Sequence, residues 1–438
     1  MNQAVNYAPA AGIMLGLLFL GGSLRLRRKR RLIDDLPTAK TQGVFIGLVE
    51  LKGTAETETP LTAFLSAQRC VHFEYRVEEH WSRTVTETYT DKDGKTQTRT
   101  KHESGWTTVA QGGQREDFYL KDDTGVVRVR PEGAKLEPAG FFDVTCNRGE
   151  PLYYEKGPAH AVANSDHRRR FIETGIPLHA PLYLVGHARE RQDVIAPEIA
   201  ADKEAPMFLI STRTEEKVRA GLGRGIWILA LLGALAFPAG LAWRHGALHH
   251  PWAETWPQYA GLLAAYVALS ALGWVWMAFN SLIGLRNRVR QAWSLVDVQL
   301  KRRHDLIPRL VETVAALRTH EASTQIAVAQ LRGQMEATPP GVSGPDFSGC
   351  APTLRAVAEA YPNLKTDAAF LALQRQLVET EQRIALARSY FNDIATYLNT
   401  RREIIPDRWI AALGGVQPQA LLAAEDFERA AVAVKLVD

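Results

Sequence analysis

The chain has 438 residues, with 52 Lys and Arg against 48 Asp and Glu for a net charge of +4. That balance excludes a dedicated nucleic-acid binder, and three widely spaced cysteines, Cys70, Cys146 and Cys350, exclude a zinc ribbon, a RING finger or a disulfide framework. The hydrophobic share of 46% matches a soluble protein, yet six of the ten Trp lie between Trp227 and Trp276, so the average conceals membrane segments. The length accommodates two or three domains.

Met1 to Leu24 carries no charged side chain and is followed at once by Arg25, Arg27, Arg28, Lys29, Arg30 and Arg31. A cleaved signal peptide places its positive charge before the apolar run, not after it. The positive-inside rule therefore puts the N-terminus outside and the basic flank in the cytoplasm. Gly225 to Trp243 is uncharged, and Thr255 to Leu285 holds no Lys, Arg, Asp or Glu. Both are long enough to cross a bilayer as helices. Trp227, Trp243, Trp252 and Trp256 stand at their ends, where an indole prefers the headgroup boundary. Lys217, Arg219 and Arg224 precede the first run and Arg286, Arg288 and Arg290 follow the second. The pair reads as a hairpin whose short connection faces outward, leaving residues 32–224 and 286–438 cytoplasmic.

Residues 36–215 alternate short apolar runs with turn signals, as a β-rich domain does, either a barrel or a packed sheet. Gly43 to Leu51 reads as a strand, and His72 to Glu78 puts Phe73, Tyr75 and Val77 on one face with Glu74 and Glu78 on the solvated one. Asp93-Gly94 marks a hairpin projecting from Val85 to Thr100. Phe118 to Leu120, the turn Asp123-Thr124-Gly125, Val126 to Arg130 and Leu182 to Gly186 repeat the strand grammar. Glu74, Glu78, Glu79 and His80 are the carboxylate and imidazole groups near enough in sequence for acid/base work, and Cys70 with His72 resembles a nucleophile and base without a third group to orient them. Arg168, Arg169 and Arg170 read as a solvated basic loop, with an approach to anionic lipid as the alternative.

The runs RRLIDDLPTAKTQGVFIGLVELKGTAETETPLTAFLSAQRCVHFEYRVEEHW, FYLKDDTGVVRVRPEGAKLE and FIETGIPLHAPLYLVGHARE, in this order, resemble the GIDE-type domain. The resemblance is MULAN-like: such domains lie between membrane spans of mitochondrial ubiquitin ligases and occur in bacterial membrane proteins. In the ligases, ubiquitin transfer resides in a separate C-terminal RING finger, whose Cys/His ligand series this sequence lacks. The resemblance implies a membrane-adjacent β domain and no ligase activity.

From Leu282 onward, Leu285, Val289, Val296, Leu300, Ile307, Leu310 and Val314 recur at helical steps, so an amphipathic helix leaves the third span directly. Pro308 is expected to bend or break it. A helix over 321–336, a Pro/Gly/Ser loop over 339–349 and a short helix over 353–360 follow. A long helix then carries Phe370, Leu373, Leu377, Ile384, Ala387, Phe391, Ile394 and Leu398, and Pro406 stops it. These elements suit an antiparallel helical bundle.

The run FNSLIGLRNRVRQAWSLVDVQLKRRHDLIPRLVETV resembles the LemA family signature, and YPNLK and LQRQLVETEQRIALARSYFNDI follow in family order. The resemblance implies a membrane-anchored helical bundle and, loosely, envelope processes in bacteria. Leu398 departs from the Tyr usual there, and the anchor is the second half of a hairpin instead of an N-terminal helix. Asp297, Gln299, Glu381, Arg388, Asn392 and Asn399 lie among apolar positions as a bundle polar network, with Arg388 expected against Asp297 or Glu381. Lys301, Arg302 and Arg303 are expected to border the membrane surface.

The whole therefore reads as an α+β multidomain membrane protein: an anchor with a basic flank over 1–31, a GIDE-like domain over 32–215, a transmembrane hairpin over 225–285 and a LemA-like bundle over 286–438. Its expected place is the bacterial inner membrane, its partners the bilayer and another protein, with homo-oligomerisation left open. No phosphate loop, metal-ligand set or catalytic triad is legible, so no cofactor, metal or catalytic residue is expected. A scaffold or adaptor is the first reading. A membrane-surface enzyme using the Cys70 to His80 region is the second, and a transporter component is disfavoured because the spans hold no charge.

Overall fold

The computed structural model describes residues 2–90, 96–191, 193, 196–203, 205–317 and 368–422. The expected Asp93-Gly94 turn, the helices over 321–336 and 353–360, the loop over 339–349, the YPNLK segment and Cys350 lie outside the described residues. The chain divides into two compact units: Thr38–Val218, and Met1–Pro37 together with Arg219–Asp438.

Among the described residues the first unit has thirteen short and long strands. They are β1 (Thr38–Ala39), β2 (Gly47–Glu56), β3 (Leu61–Thr62), β4 (Arg69–Thr90), β5 (Thr96–Arg115), β6 (Phe118–Lys121) and β7 (Val126–Val129), then β8 (Lys135–Glu137), β9 (Ala139–Asn147), β10 (Ser165–Pro177), β11 (Pro181–Glu190), β12 (Pro197–Ala200) and β13 (Leu209–Ser211). A short helix, α2 (Leu152–Glu155), follows β9, since the N-terminal helix of the other unit is α1 (Asn2–Asp34).

In one sheet β2, β6, β7, β12 and β11 are neighbours in turn, and β11 returns to β2, so five strands close a ring. Closure removes the unpaired edges an open sheet would leave. Phe118 and Leu120 point inward from β6 and Val127 and Val129 from β7, alternating with exposed or half-exposed neighbours as the period of two requires. The β6–β7 turn is held by Asp122, whose Oδ1 accepts from the amides of Thr124 (2.7 Å) and Gly125 (3.0 Å) and from Thr41 Oγ1 (2.6 Å). The second sheet runs β3-β4-β10-β9 with β5 also on β4. Beyond Ser82 the β4–β5 hairpin stays paired through Thr90↔Thr96, and Ser82 to Thr88 are exposed or half-exposed.

The second unit holds α1, α3 (Glu215–Ala247), α4 (Trp252–Leu317), α5 (Ala368–Glu403) and α6 (Asp407–Leu413). Val5–Asp34, Glu215–Ala247 and Trp252–Arg303 are long and apolar enough to cross a membrane. Many of their large side chains face outward: Leu18 is 70% exposed, Trp227 72% and Trp276 74%. Such a surface is unfavourable in water and suits hydrocarbon. The α1–α3 contact depends on glycine. A Cβ at Gly12 would come within 2.7 Å of the Gly240 amide, and one at Gly240 would collide with the Ala8 carbonyl. Gly12 and Gly16, one turn apart, supply the small faces that let apolar helices approach where no hydrophobic effect drives them together.

α4 is one continuous helix of 66 residues, about 99 Å at 1.5 Å per residue. Pro308 does not end it, contrary to a break there; a proline removes one amide donor, and the ladder resumes beyond it. From Leu282 onward its buried positions, among the described residues, are Leu282, Leu285, Val289, Ala292, Val296, Gln299, Arg303 and Leu306, alternating steps of three and four. α5 answers with Thr380, Ile384, Ala387, Phe391, Ile394 and Leu398. Trp293 meets Phe391 edge-on with ring centroids 5.5 Å apart, and Arg303 meets Glu381, so the two helices run antiparallel. A sustained three-four spacing is a coiled-coil seam. Gln299, not Leu300, takes the seam position, and Arg303 lies inside the pair instead of at a membrane surface.

Candidate functional sites

In the β unit, the residues with chemical promise divide between two faces of β4. Alternation from Phe73 through Val77 puts Glu79 on the inward face, fully buried, while Glu74 is exposed and Glu78 half-buried. Directly across the ladder stands Arg169, because β10 pairs Arg169 with Glu79. The expected Arg168–Arg170 loop is thus a strand. On a strand three consecutive arginines cannot all face solvent, and the middle one turns in.

Arg169 is fully buried, and all five of its donor hydrogens have partners. Nε and Nη2 donate to Glu79 Oε2 at 3.2 and 3.1 Å, Nη1 donates to the carbonyls of Tyr153 and Pro158 at 2.8 Å, and Nη2 to that of His160 at 3.1 Å. The guanidinium lies 3.9 Å from the Tyr153 ring centroid. Glu79 Oε1 accepts from Tyr153 Oη (2.8 Å) and Ser165 Oγ (2.5 Å). Burial raises the Glu79 pKa, and the hydrogen bonds from Ser165, Tyr153 and Arg169 overcome that and hold it below the usual Glu range. A carboxylate so fully engaged is a poor general base. Buried Glu173 is similarly occupied by the amides of Leu65 and Ser66 and the Ser66 hydroxyl.

Cys70 and His72 do not form a pair. The β4–β10 register skips a residue between them, so Cys70 packs with Ala63 and Phe73 while His72 lines the other face beside Glu74. Burial pushes the Cys70 thiol up to about 11, which keeps it protonated at neutral pH. His80 Nδ1 and Ser82 Oγ both address Asp166, at 2.6 and 2.7 Å. The serine therefore bonds the carboxylate and not the imidazole, which is not the arrangement of a triad.

A groove of about 910 Å³ opens on the His72 face, lined among others by Glu74, Arg76, Gln114 and Arg115. His72 Nδ1 meets the Gln114 carbonyl at 3.1 Å, and buried Nε2 has no hydrogen-bond partner among the described residues, with Glu74 at 3.7 Å. Burial lowers the His72 pKa, so the ring is neutral at physiological pH. Among the described residues no group of three His, Cys, Asp or Glu is placed to hold a metal ion.

In the helical unit, charges alternate along one chain of contacts. Arg31 donates to Asp407 (3.0 Å), Arg401 reaches Asp407 (3.3 Å) and Asp35 (3.0 Å), and Asp35 also accepts from Ser281 (2.5 Å) while its carbonyl accepts from Arg288 (3.2 Å). The residues come from the end of α1, from α4, from α5 and from α6. Arg31 and Arg288, expected near a lipid surface, are half-buried and also take part in these protein contacts. Arg25, Arg28 and Lys29 remain on α1, with Trp227, Trp243 and Trp256 exposed, Arg286 half-buried and Arg290 exposed.

Of the expected bundle network, Glu381 lies against Arg303 (3.0 Å) and Asp297 against Lys301 (3.2 Å). Arg388 is half-buried on α5. Burial raises the Glu381 pKa, with Arg303 opposing. Asn392 and Asn399 have another task, which the sequence pattern did not reveal. Each amide side chain both donates to and accepts from one residue of the C-terminal strap: Asn399 pairs with Gln419 (2.8 and 3.0 Å), Asn392 with Leu422 (2.9 and 2.8 Å). Seven helical residues rise about 10.5 Å, and three extended ones span about 10 Å, so the spacings match.

The LemA family model matches residues 292–436, and a GIDE model described as E3 ubiquitin ligase matches residues 86–242. The chain joins a GIDE segment to a LemA segment. The GIDE match begins within β4 and ends within α3, and the LemA match begins within α4. No curated protein and no solved structure matches the chain.

Proposed function

We propose that this membrane-associated protein is a scaffold or adaptor, held by α1, α3 and α4 in the bacterial inner membrane, that offers its GIDE and LemA segments to a protein partner on the cytoplasmic face. The carrying observation is that Glu79, Arg169, Cys70, Asp35 and Asp407, the groups best able to do chemistry, are consumed in contacts that hold the fold. The ubiquitin-ligase description of the GIDE model is not carried over, because three dispersed cysteines cannot supply a RING finger's ligands. One observation favours a second reading, a membrane-surface enzyme: the unpartnered Nε2 of His72 at the groove.

Photoreactive residues at exposed Glu74 and Val298, in the full chain in its own membrane, test the proposal. One protein captured reproducibly, and lost when the surrounding surface charges are reversed, supports it. Capture of lipid alone at both positions overturns it. A His72→Gln variant that abolishes a processing event on a small molecule would favour the enzyme.

A further inference from the structure

Where the apolar stretches of α1, α3 and α4 give way to charge, the three helices enclose a second pocket of about 220 Å³, several times the roughly 30 Å³ of one water in the liquid. Its walls include Arg27, Arg30, Arg31 and Asp34 from α1, Trp227 from α3, Trp274 from α4 and Arg401 from α5. The three helices are level here: Leu24 lies against Gly273, Leu26 against Gly225 and Arg30 against Gly223. The guanidinium of Arg27 lies over the Trp227 ring at 5.8 Å and that of Arg31 over Trp274 at 5.5 Å.

Positive charge is in excess. Around the pocket Arg27, Arg30, Arg31, Arg288 and Arg401 stand beside Asp34, Asp35 and Asp407 among the described residues. Arg27 has no carboxylate partner among the described residues, and Arg30 reaches Asp34 only at 3.8 Å. Arg31 Nη1 is buried with no hydrogen-bond partner among the described residues, a donor that costs free energy until it is met. Fork-shaped guanidinium donors match phosphate oxygens, and indoles beside them match the glycerol and upper acyl region.

We infer that this pocket is a binding site for the phosphate-bearing headgroup of an anionic phospholipid, seated between Arg27, Arg30 and Arg31 with its chains along Trp227. The inference rests on the membrane reading above.

The test uses the full chain in nanodiscs of equal phosphatidylglycerol and phosphatidylcholine, with retained lipid counted by native mass spectrometry. The parent should keep phosphatidylglycerol in preference. The Arg27→Gln/Arg30→Gln variant should lose that preference about tenfold or more, as two basic contacts near a headgroup predict. Arg25→Gln/Arg28→Gln, which removes equal charge from the same helix, should keep the parent's preference, because neither residue lines the pocket. Equal losses in both variants would show a diffuse basic surface and overturn the inference. Inorganic phosphate held with no lipid retained would overturn the lipid assignment. Arg27→Lys/Arg30→Lys keeps the charge but loses the fork, and an unchanged preference in it would overturn the geometric reading. Resistance to alkaline carbonate extraction, scored separately, reports whether the chain is membrane-integral, so a failed pocket and a failed membrane reading give different results.

Discussion

Arg169 and Arg170 are neighbours in the sequence, yet their substitution should differ by orders of magnitude. Arg169→Ala deletes two bonds to Glu79, three to carbonyls and the ring contact with Tyr153, and leaves Glu79 buried with only Ser165 and Tyr153 as donors. Removing one member of a buried ion pair costs about 3–5 kcal/mol, because the remaining charge is uncompensated. Arg170 lies outward against Asp143, with both side chains substantially in water, and its loss should be silent. Hydrogen exchange read by mass spectrometry on the full chain should show peptides of β4, β9 and β10 losing about 10²-fold or more of their protection in Arg169→Ala and none in Arg170→Ala. Arg169→Lys should be nearly as damaging, since an ammonium has three donors for five bonds and no planar fork. Equal protection in the two alanine variants would refute the claim that this pair organises the sheet.

Three further outcomes are expected. Glu79 is held below its ordinary value of 4.5 when folded, so the stability it contributes is present above the unfolded carboxylate's pKa and is lost as pH falls through the lower folded value; Glu79→Gln should remove that acid-side loss from an exchange-versus-pH profile. Gly240→Leu should lower the melting temperature and the monodisperse fraction in detergent, as overpacking of about 1–3 kcal/mol does, whereas Gly21→Leu, with open space around it, should not. Asn399→Ala should expose the Gln419 amide to exchange and spare that of Leu422, and Asn392→Ala the reverse; loss of both in either variant would mean the strap is released as a unit.

The elements most legible in the sequence are those whose signal is local. Uncharged runs flanked by arginine mark three helices long enough to cross a membrane, and Asp123-Thr124-Gly125 marks a turn that the structure closes through the carboxylate of the preceding Asp122. What escaped was long-range or depended on register. Arg169 reads as surface charge until it is placed on a strand whose parity it shares with Phe171, just as Glu79 shares that of Val77. The step between Cys70 and His72 shifts register by one residue, and no composition or spacing announces such a shift. The coiled-coil seam is present in the sequence as a three-four repeat, but Gln299 and Arg303 interrupt its apolar character and hide it behind Leu300.

Asp35 carries the argument about how the helical unit is assembled. Residues 1–37 and 219–438 belong to one unit although the β domain lies between them in sequence, so long-range contacts have to join them. The glycine contact of α1 with α3 does this in the apolar region, and the alternating chain Arg31, Asp407, Arg401 and Asp35 does it at the charged end. Asp35 is the member with the most partners: Arg401, Ser281 and, through its carbonyl, Arg288. Asp35→Ala removes the carboxylate and leaves Arg401 with Asp407 alone. The cost should be smaller than for Arg169→Ala, because Arg401 is 23% exposed and water takes up part of the loss. Exchange should therefore rise at the end of α5 and in α6, where Arg401 and Asp407 sit, while the seam around Trp293 and Phe391 keeps its protection. Asp35→Asn, which still accepts a hydrogen bond but carries no charge, should fall between. If α6 kept parent-like protection in Asp35→Ala, the apolar seam alone would hold the LemA segment to its helices, and the charged chain would be incidental to the assembly.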